Sequence, residues 1–272
     1  MGAGRRTVLA LRAHPDDEVL VAGTLARAAA EGHRVVLVVA TDGGRGLAAE
    51  ADGHGPELAA RRREELAASA RALGCARVVH LDYGDSGLHP DPADRDAFAN
   101  VEVDAAVARV ARLLRDERAD ILVVDDENGG YRHPDHVQVY RVGVAAAALA
   151  STPVVLAGTA PAEPVVGLLT LLRWCGHGLG RAAPLGTQRV FTPYRRITHR
   201  IRVTGQLDAK RAAMRAHATQ RRADGQRRVL DRLLSLPRPL FGLVFGTEWF
   251  VELGATRPPG RRSRDIFSGC RP

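Results

Sequence analysis

The chain is poor in the residues that staple or anchor small proteins. Its three cysteines, Cys75, Cys175 and Cys270, are far apart and odd in number. They offer neither a disulfide framework nor zinc-ribbon spacing, and they fit a reducing compartment. Aromatic residues are only 4% of the total, so any core must be built from Leu, Val and Ala. No apolar run reaches the roughly 20 residues that cross a bilayer. The run after Arg5 and Arg6 is short, is broken by Arg12 and His14, and lacks a small-residue cleavage site. It does not read as a secretion signal. These absences predict a cytoplasmic protein with no stable membrane insertion.

Lysine is nearly missing as well. Lys210 stands alone, and arginine carries the formal net charge of +8. The densest basic groups are Arg61-Arg62-Arg63, Arg221-Arg222 with Arg227-Arg228, and the tail from Arg257 to Arg264. None is interleaved with stacking aromatics and no nucleic-acid-binding motif is present, so no nucleic-acid partner is expected.

What the chain does have is alternation. Its 272 residues, 45% hydrophobic, suffice for one large α/β domain. Short apolar runs at residues 7–13, 34–41, 77–81, 121–125 and 154–157 read as strands. Helical patterns at residues 19–31, 57–73, 103–117 and 137–150 lie between them. This predicts an α/β fold: a Rossmann-like, doubly wound, mainly parallel sheet. With strand order 3-2-1-4-5, strands one and four would flank the point where the winding reverses. Beyond Gly158 the pattern weakens. An apolar patch at residues 165–174 reads as a packed helix or a lid over the crevice, with a membrane-surface or acyl-chain contact as the alternative. A strand near 196–203, helices near 207–222 and 229–236, an apolar stretch at 237–245 and a closing strand at 249–253 follow. The expectation is one domain over residues 1–272. It has a core at 7–158, a C-terminal α+β elaboration at 159–256 and a disordered tail at 257–272.

Two histidine–carboxylate clusters stand out. Ala13-His14-Pro15-Asp16-Asp17-Glu18 follows the first strand, and His133-Pro134-Asp135-His136 follows the fourth. Alone, the first could be a helix cap compensating the helix dipole, and a lone histidine is usually polar surface. The strand order above would bring both to one rim, where they would form a single site. Two histidines and a carboxylate are a familiar catalytic zinc set, and His14, Asp17 and His136 can serve. Asp16 would then be free to take a proton from a bound water. His133 could act as an acid, and Asp135 could hold an imidazole in its tautomer.

These motifs, with Gly130-Tyr131-Arg132 ahead of the second, resemble the LmbE-like/PIG-L family of zinc-dependent N-deacetylases. That family includes deacetylases of N-acetylglucosaminyl-phosphatidylinositol, the mycothiol-pathway deacetylase and amidase, and deacetylases of antibiotic aminosugars. Arg62 with Glu65, Leu73-Gly74, Asp85-Ser86-Gly87, and Lys210, Ala213, His217 and Gln220 extend the likeness. The resemblance implies that His14, Asp17 and His136 bind Zn2+, with Fe2+ or another divalent ion also suited. It makes Asp16 the general base and His133 the acid or oxyanion stabiliser, with Asp135 tuning His133. Tyr131 would help hold the oxyanion, Arg62 and Asp85 would bind sugar hydroxyls, and His217 would support the site. The implied partner is a small-molecule N-acyl aminosugar or its glycoside; a homo-oligomer is compatible. A mycothiol-conjugate-type amidase and a catalytically silent sugar-binding protein are the alternatives.

Overall fold

The computed structural model describes residues 4–46, 52–163, 191–223, 226–227, 229–255 and 261–270. Five strands, β1 (Thr7–Arg12), β2 (Arg34–Thr41), β3 (Arg77–Tyr83), β4 (Ile121–Asp125) and β5 (Val154–Thr159), alternate with helices. The helices are α1 (Ala22–Ala30), α2 (Pro56–Ala72), α3 (Val103–Asp116), the single turn α4 (Gly129–Arg132) and α5 (Pro134–Ala150). The elaboration adds β6 (His199–Arg202), α6 (Leu207–Ala216), the two-residue strands β7 (Arg222–Ala223) and β8 (Gln226–Arg227), α7 (Val229–Leu234), α8 (Arg238–Phe245) and β9 (Thr247–Glu252).

The main sheet runs β3-β2-β1-β4-β5-β9-β6. The first five strands are parallel, as the alternation predicts, while β9 and β6 extend the edge antiparallel. The central strands are buried on both faces, so their residues alternate between two cores. Leu9, Leu11, Val36, Val38, Leu122 and Val124 pack with Val110 of α3 and Val142 of α5. Val8, Ala10, Val35, Leu37, Ile121 and Val123 pack with Leu25 of α1 and Leu66 of α2. Strand β1 pairs with β2 on one side and β4 on the other. The winding therefore reverses between β1 and β4, where such sheets open a crevice at the strands' carboxyl ends.

Several local expectations shift. The first helix is split: residues 17–20 form a 3-10 turn and α1 starts only at Ala22. The helix expected at 207–222 ends at Ala216, so His217 is its C-cap rather than a mid-helix residue. The apolar stretch before β9 is the helix α8. The tail is not uniformly disordered as expected, because Arg261–Cys270 packs. Ser263 exchanges backbone hydrogen bonds with Thr198 and Arg200, and Ile266 is buried among core residues with Phe267 and Cys270 beside it. Average composition hid these few apolar anchors in an Arg- and Gly-rich segment. The patch at 165–174 lies outside the described residues. Among the described residues, no helix is long and apolar enough to cross a membrane.

Helix α5, which delivers the second histidine cluster, lies close on β4 through Gly143. A Cβ there would come within 2.5 Å of Val124 Cγ1. Overpacking a dry contact typically costs about 1–3 kcal/mol. Gly143→Val should lower stability by about that amount in urea unfolding, despite valine's better helix propensity than glycine.

Candidate metal and catalytic site

Each half of the site is held by its own strand end. Past β1 the chain turns through Ala13-His14-Pro15 into the 3-10 turn. The His14 backbone N–H donates to Asp17 Oδ2 at 2.7 Å, closing the turn. Asp16 takes φ 123°, a left-handed conformation that side chains other than glycine rarely adopt. Such strain costs on the order of 1–3 kcal/mol and persists only where neighbours enforce it. Arg62 is the enforcer. Its guanidinium donates to Pro15 O at 2.6 Å, Asp16 Oδ1 at 2.8 Å and Gly43 O at 2.7 Å.

Past β4, Asp126 shapes the loop by accepting from the N–H groups of Asn128 and Gly130 and from Thr159 Oγ1. His133 then caps α5, its Nδ1 accepting from Asp135 N–H at 3.2 Å. Proline at the next position suits the first turn, where its missing N–H costs nothing.

The two halves meet. Asp17 Oδ2 lies 3.3 Å from His14 Nδ1 and 3.5 Å from His136 Nε2. Each imidazole turns its other nitrogen to a further carboxylate. His14 Nε2 is 3.1 Å from Asp135 Oδ2 and 3.4 Å from Asp85 Oδ1, and His136 Nδ1 is 2.9 Å from Asp125 Oδ2. His133 completes a compact trio with His14 and His136. A second donor group, His14, Asp85, His133 and Asp135, overlaps it. All of these except Asp17 are buried.

Charge follows from this packing. Burial opposes a proton on His14, yet Asp135, Asp17 and Asp85 around it raise its pKa well above the usual value. His136 is likewise desolvated, but Asp17 and Asp125 lift it to about 9. Asp17 resists burial because His136 and His14 hold it well below the carboxylate range. His133 goes the other way: burial and the nearby His14 bring it down to about 4, so it is neutral near pH 7. Burial raises Asp16, with Arg62 opposing. The cluster is thus a cage of carboxylates around imidazoles, a donor set suited to a divalent cation.

Every expected site residue with a described side chain lies in or beside this cage. Three placements differ in detail. Asp135 is nearer to His14 than to His133, whose Nδ1 is 4.0 Å from Oδ2, because Ser86 N and Oγ draw the carboxylate away. Arg62 was expected at sugar hydroxyls but is buried and engaged with protein acceptors. Asp85 is buried too, accepting from the N–H groups of Arg45 and Gly87. The side chain of Tyr131 lies outside the described residues.

The sequence reading missed Arg12 and Asp125, a buried ion pair beside His136. Its signal was present: two otherwise apolar strands each end on a charge of opposite sign. The C-terminal signature contacts the turn behind the cage. His217 Nε2 lies 2.6 Å from Glu18 Oε1, where Ser69 Oγ also donates. Lys210 donates to Glu248, which accepts from the N–H groups of Gly23 and Thr24.

A mainly parallel sheet whose two switch-point strands end in one histidine–carboxylate cage defines the class, an α/β protein with a side-chain cluster that could hold a metal ion. The family model for PIG-L, described as GlcNAc-PI de-N-acetylase, matches residues 9–147. The 1D-myo-inositol 2-acetamido-2-deoxy-alpha-D-glucopyranoside deacetylase of Acidothermus cellulolyticus is 36% identical over 97% of this chain and 95% of its own. The chain therefore belongs to the PIG-L family, and it is a hydrolase acting on an amide bond. Among solved structures, the N,N'-diacetylchitobiose deacetylase of Pyrococcus horikoshii is similar at TM-score 0.60 and 22% identity. That match covers 92% of this chain and 84% of the other. The 4-carboxy-2-hydroxymuconate hydratase of Pseudomonas putida is equally similar, at TM-score 0.60 and 19% identity over 94% and 99% of the chains. The fold alone thus does not select the reaction.

The Glu18–His217 pair makes a pH-dependent contribution to stability. His217 is desolvated but raised by Glu18, and Glu18 is desolvated but lowered by His217. The His217 contribution is complete below the ordinary histidine value and fades as pH rises through its raised pKa. The Glu18 contribution is complete above the ordinary glutamate value and fades as pH falls through its lowered one. Both are complete between about pH 4.3 and 6.5. His217→Ala should cost about 3–5 kcal/mol there, because it strands a buried carboxylate. Denaturant unfolding across pH should show the gap to wild type narrowing on either side.

Proposed function

We propose that this protein removes the N-acetyl group from an aminosugar glycoside, with an N-acetylglucosaminyl inositol as the favoured substrate. The observation that carries the reading is the His14/His133/His136 cluster, with Asp17 between two of its imidazoles and Asp16 beside it, in a chain matching the inositol-glycoside deacetylase over nearly its whole length. In this reading His14, Asp17 and His136 hold Zn2+ or a similar divalent ion. Ligand atoms of a tetrahedral ion with bonds of about 2.0–2.2 Å lie roughly 3.3–3.5 Å apart. Asp17 stands at such distances from both imidazoles, 3.3 and 3.5 Å. The bound ion would supply a water of lowered pKa and a Lewis acid for the acyl oxygen.

The remaining steps belong to the chain. Asp16, aimed by Arg62 and with about a quarter of its side chain open at 27%, accepts the proton of the attacking water. It returns that proton to the departing nitrogen, so amide and water become amine and acetic acid, which leave as ammonium and acetate at neutral pH. His133 is neutral and its Nδ1 accepts from Asp135, which puts its proton on Nε2. It therefore acts as a hydrogen-bond donor to the developing oxyanion rather than as a charged acid. Tyr131 is assigned as a second donor. Asp135 fixes His14 through its side chain and His133 through its backbone. Sugar contacts by Arg62 or Asp85 would require exchange of their present protein partners for hydroxyls.

The deciding experiment measures free amine from glucosaminyl inositol, N-acetylglucosamine and N,N'-diacetylchitobiose, all N-acetylated, with defined metal. Release from the inositol glycoside is expected. Cleavage confined to a thiol-conjugate amide would select the amidase reading, and binding without release a silent sugar-binding protein. Asp16→Asn should retain metal while lowering kcat by about 10²–10⁴, the usual worth of a general base. His136→Ala should lose metal by elemental analysis. The acid limb of kcat/KM should lie above the ordinary carboxylate range, because activity is lost as pH falls through the raised pKa of Asp16.

A further inference from the structure

We infer that Asp125, locked in place by Arg12, is a positioning residue that sets which nitrogen of His136 faces the cation site. The inference rests on the reading of His136 as a metal ligand.

The register of β1 and β4 places the pair. Ala10 stands beside Val123, and two residues further on Arg12 and Asp125 lie on the same face. Both are buried, at 1% and 4% exposure. Arg12 Nη1 pairs with Asp125 Oδ1, which leaves Oδ2 2.9 Å from His136 Nδ1, an ion-pair contact that is close but not aligned as a hydrogen bond. The far side of the same ring faces Asp17 at 3.5 Å. His136 thus has a carboxylate at each nitrogen. With its proton on Nδ1 the ring needs only a small turn to donate to Asp125, and the Nε2 lone pair is left directed at the side shared with Asp17 and His14. Without Asp125 the two tautomers would compete, and the ring could turn its donor toward the cation.

As a stabilising device the pair is poor. Arg12 Nε and Nη2 have no hydrogen-bond partner in the described structure. A buried guanidinium with unused donors is costly, and apolar residues continuing the Val/Leu/Ala pattern would be the cheaper choice. Its geometric product is the fixed carboxylate at His136. Outer carboxylates of this kind orient a histidine ligand and raise its basicity, and their loss typically weakens metal binding 10–100-fold. His14 carries the equivalent arrangement with Asp135, so both imidazoles read as ligands have a carboxylate on their outer nitrogen.

The test measures zinc affinity by chelator competition, alongside ring-nitrogen NMR of the zinc-loaded wild-type protein. Asp125→Asn should weaken zinc binding about 10–100-fold, and Asp125→Glu should regain part of it. The double variant Arg12→Met/Asp125→Asn removes both charges, so it strands no buried guanidinium and should show the same loss at wild-type circular dichroism. In the wild-type protein the His136 proton should reside on Nδ1. His136→Ala is the control: if it binds zinc like wild type, the ligand reading itself fails. If His136→Ala loses zinc while the folded double variant binds within about twofold of wild type, the ligand stands and the positioning role is overturned. A proton found on His136 Nε2 would overturn it equally, and decides the matter should the variants not fold.

Discussion

The carboxylate of Asp17, shared between His14 and His136, is the contact on which the site depends. It joins the end of β1 to the start of α5, two segments more than a hundred residues apart in sequence. A single carboxylate can bridge them only because β1 and β4 are parallel neighbours at the reversal of the sheet. The price is electrostatic crowding. Asp17, Asp85, Asp125 and Asp135 all lie within contact distance of an imidazole. Such a group is tolerable only with positive charge in its midst, from protonated imidazoles or a cation. Arg12 and Arg62 flank it and neutralise part of the load at fixed positions.

The surrounding structure reads as the means of holding that cage. Arg62 holds a strained Asp16 in place, and Asp126 shapes the turn ahead of His133. Glu18, although next in sequence to Asp17, turns away from the cage and is held by His217 and Ser69. Among the described residues, the C-terminal elaboration reaches this region through contacts to the turn and helix behind the cage. Glu248 on β9 holds the start of α1 and pairs with Lys210, while Glu65 on α2 accepts from Thr219. Helix α1 and the 3-10 turn before it are thereby tied to elements more than 180 residues away, which keeps the turn carrying Asp16 and Asp17 from relaxing.

Much of this was legible in the chain itself. The runs Val35 to Ala40 and Ile121 to Val124 mark strands buried on both faces, and the strands and helices fall close to where periodicity places them. The split at Val21 was not legible, because a 3-10 turn and an α-helix share the same apolar spacing there. Nor was the end of α6 at Ala216, where His217 leaves the helix to reach Glu18. Arg62 illustrates the larger limit. Its type and its place on α2 can be read from sequence, but whether it points at solvent, sugar or Asp16 depends on how α2 packs.

The sequence by itself determined the kinds of group available and their separation along the chain: two His-Pro-Asp motifs, each after an apolar strand, and the alternation that makes those strands parallel neighbours. Residue type and local spacing suffice for that, since they set hydrophobic period and titratable chemistry. Only the tertiary structure decided which nitrogen meets which carboxylate. It gave Asp135 to His14, Asp125 to His136 and Arg62 to Asp16. These pairings depend on ångström-scale register between strands and helices, which no residue encodes alone because each partner is supplied by a distant segment.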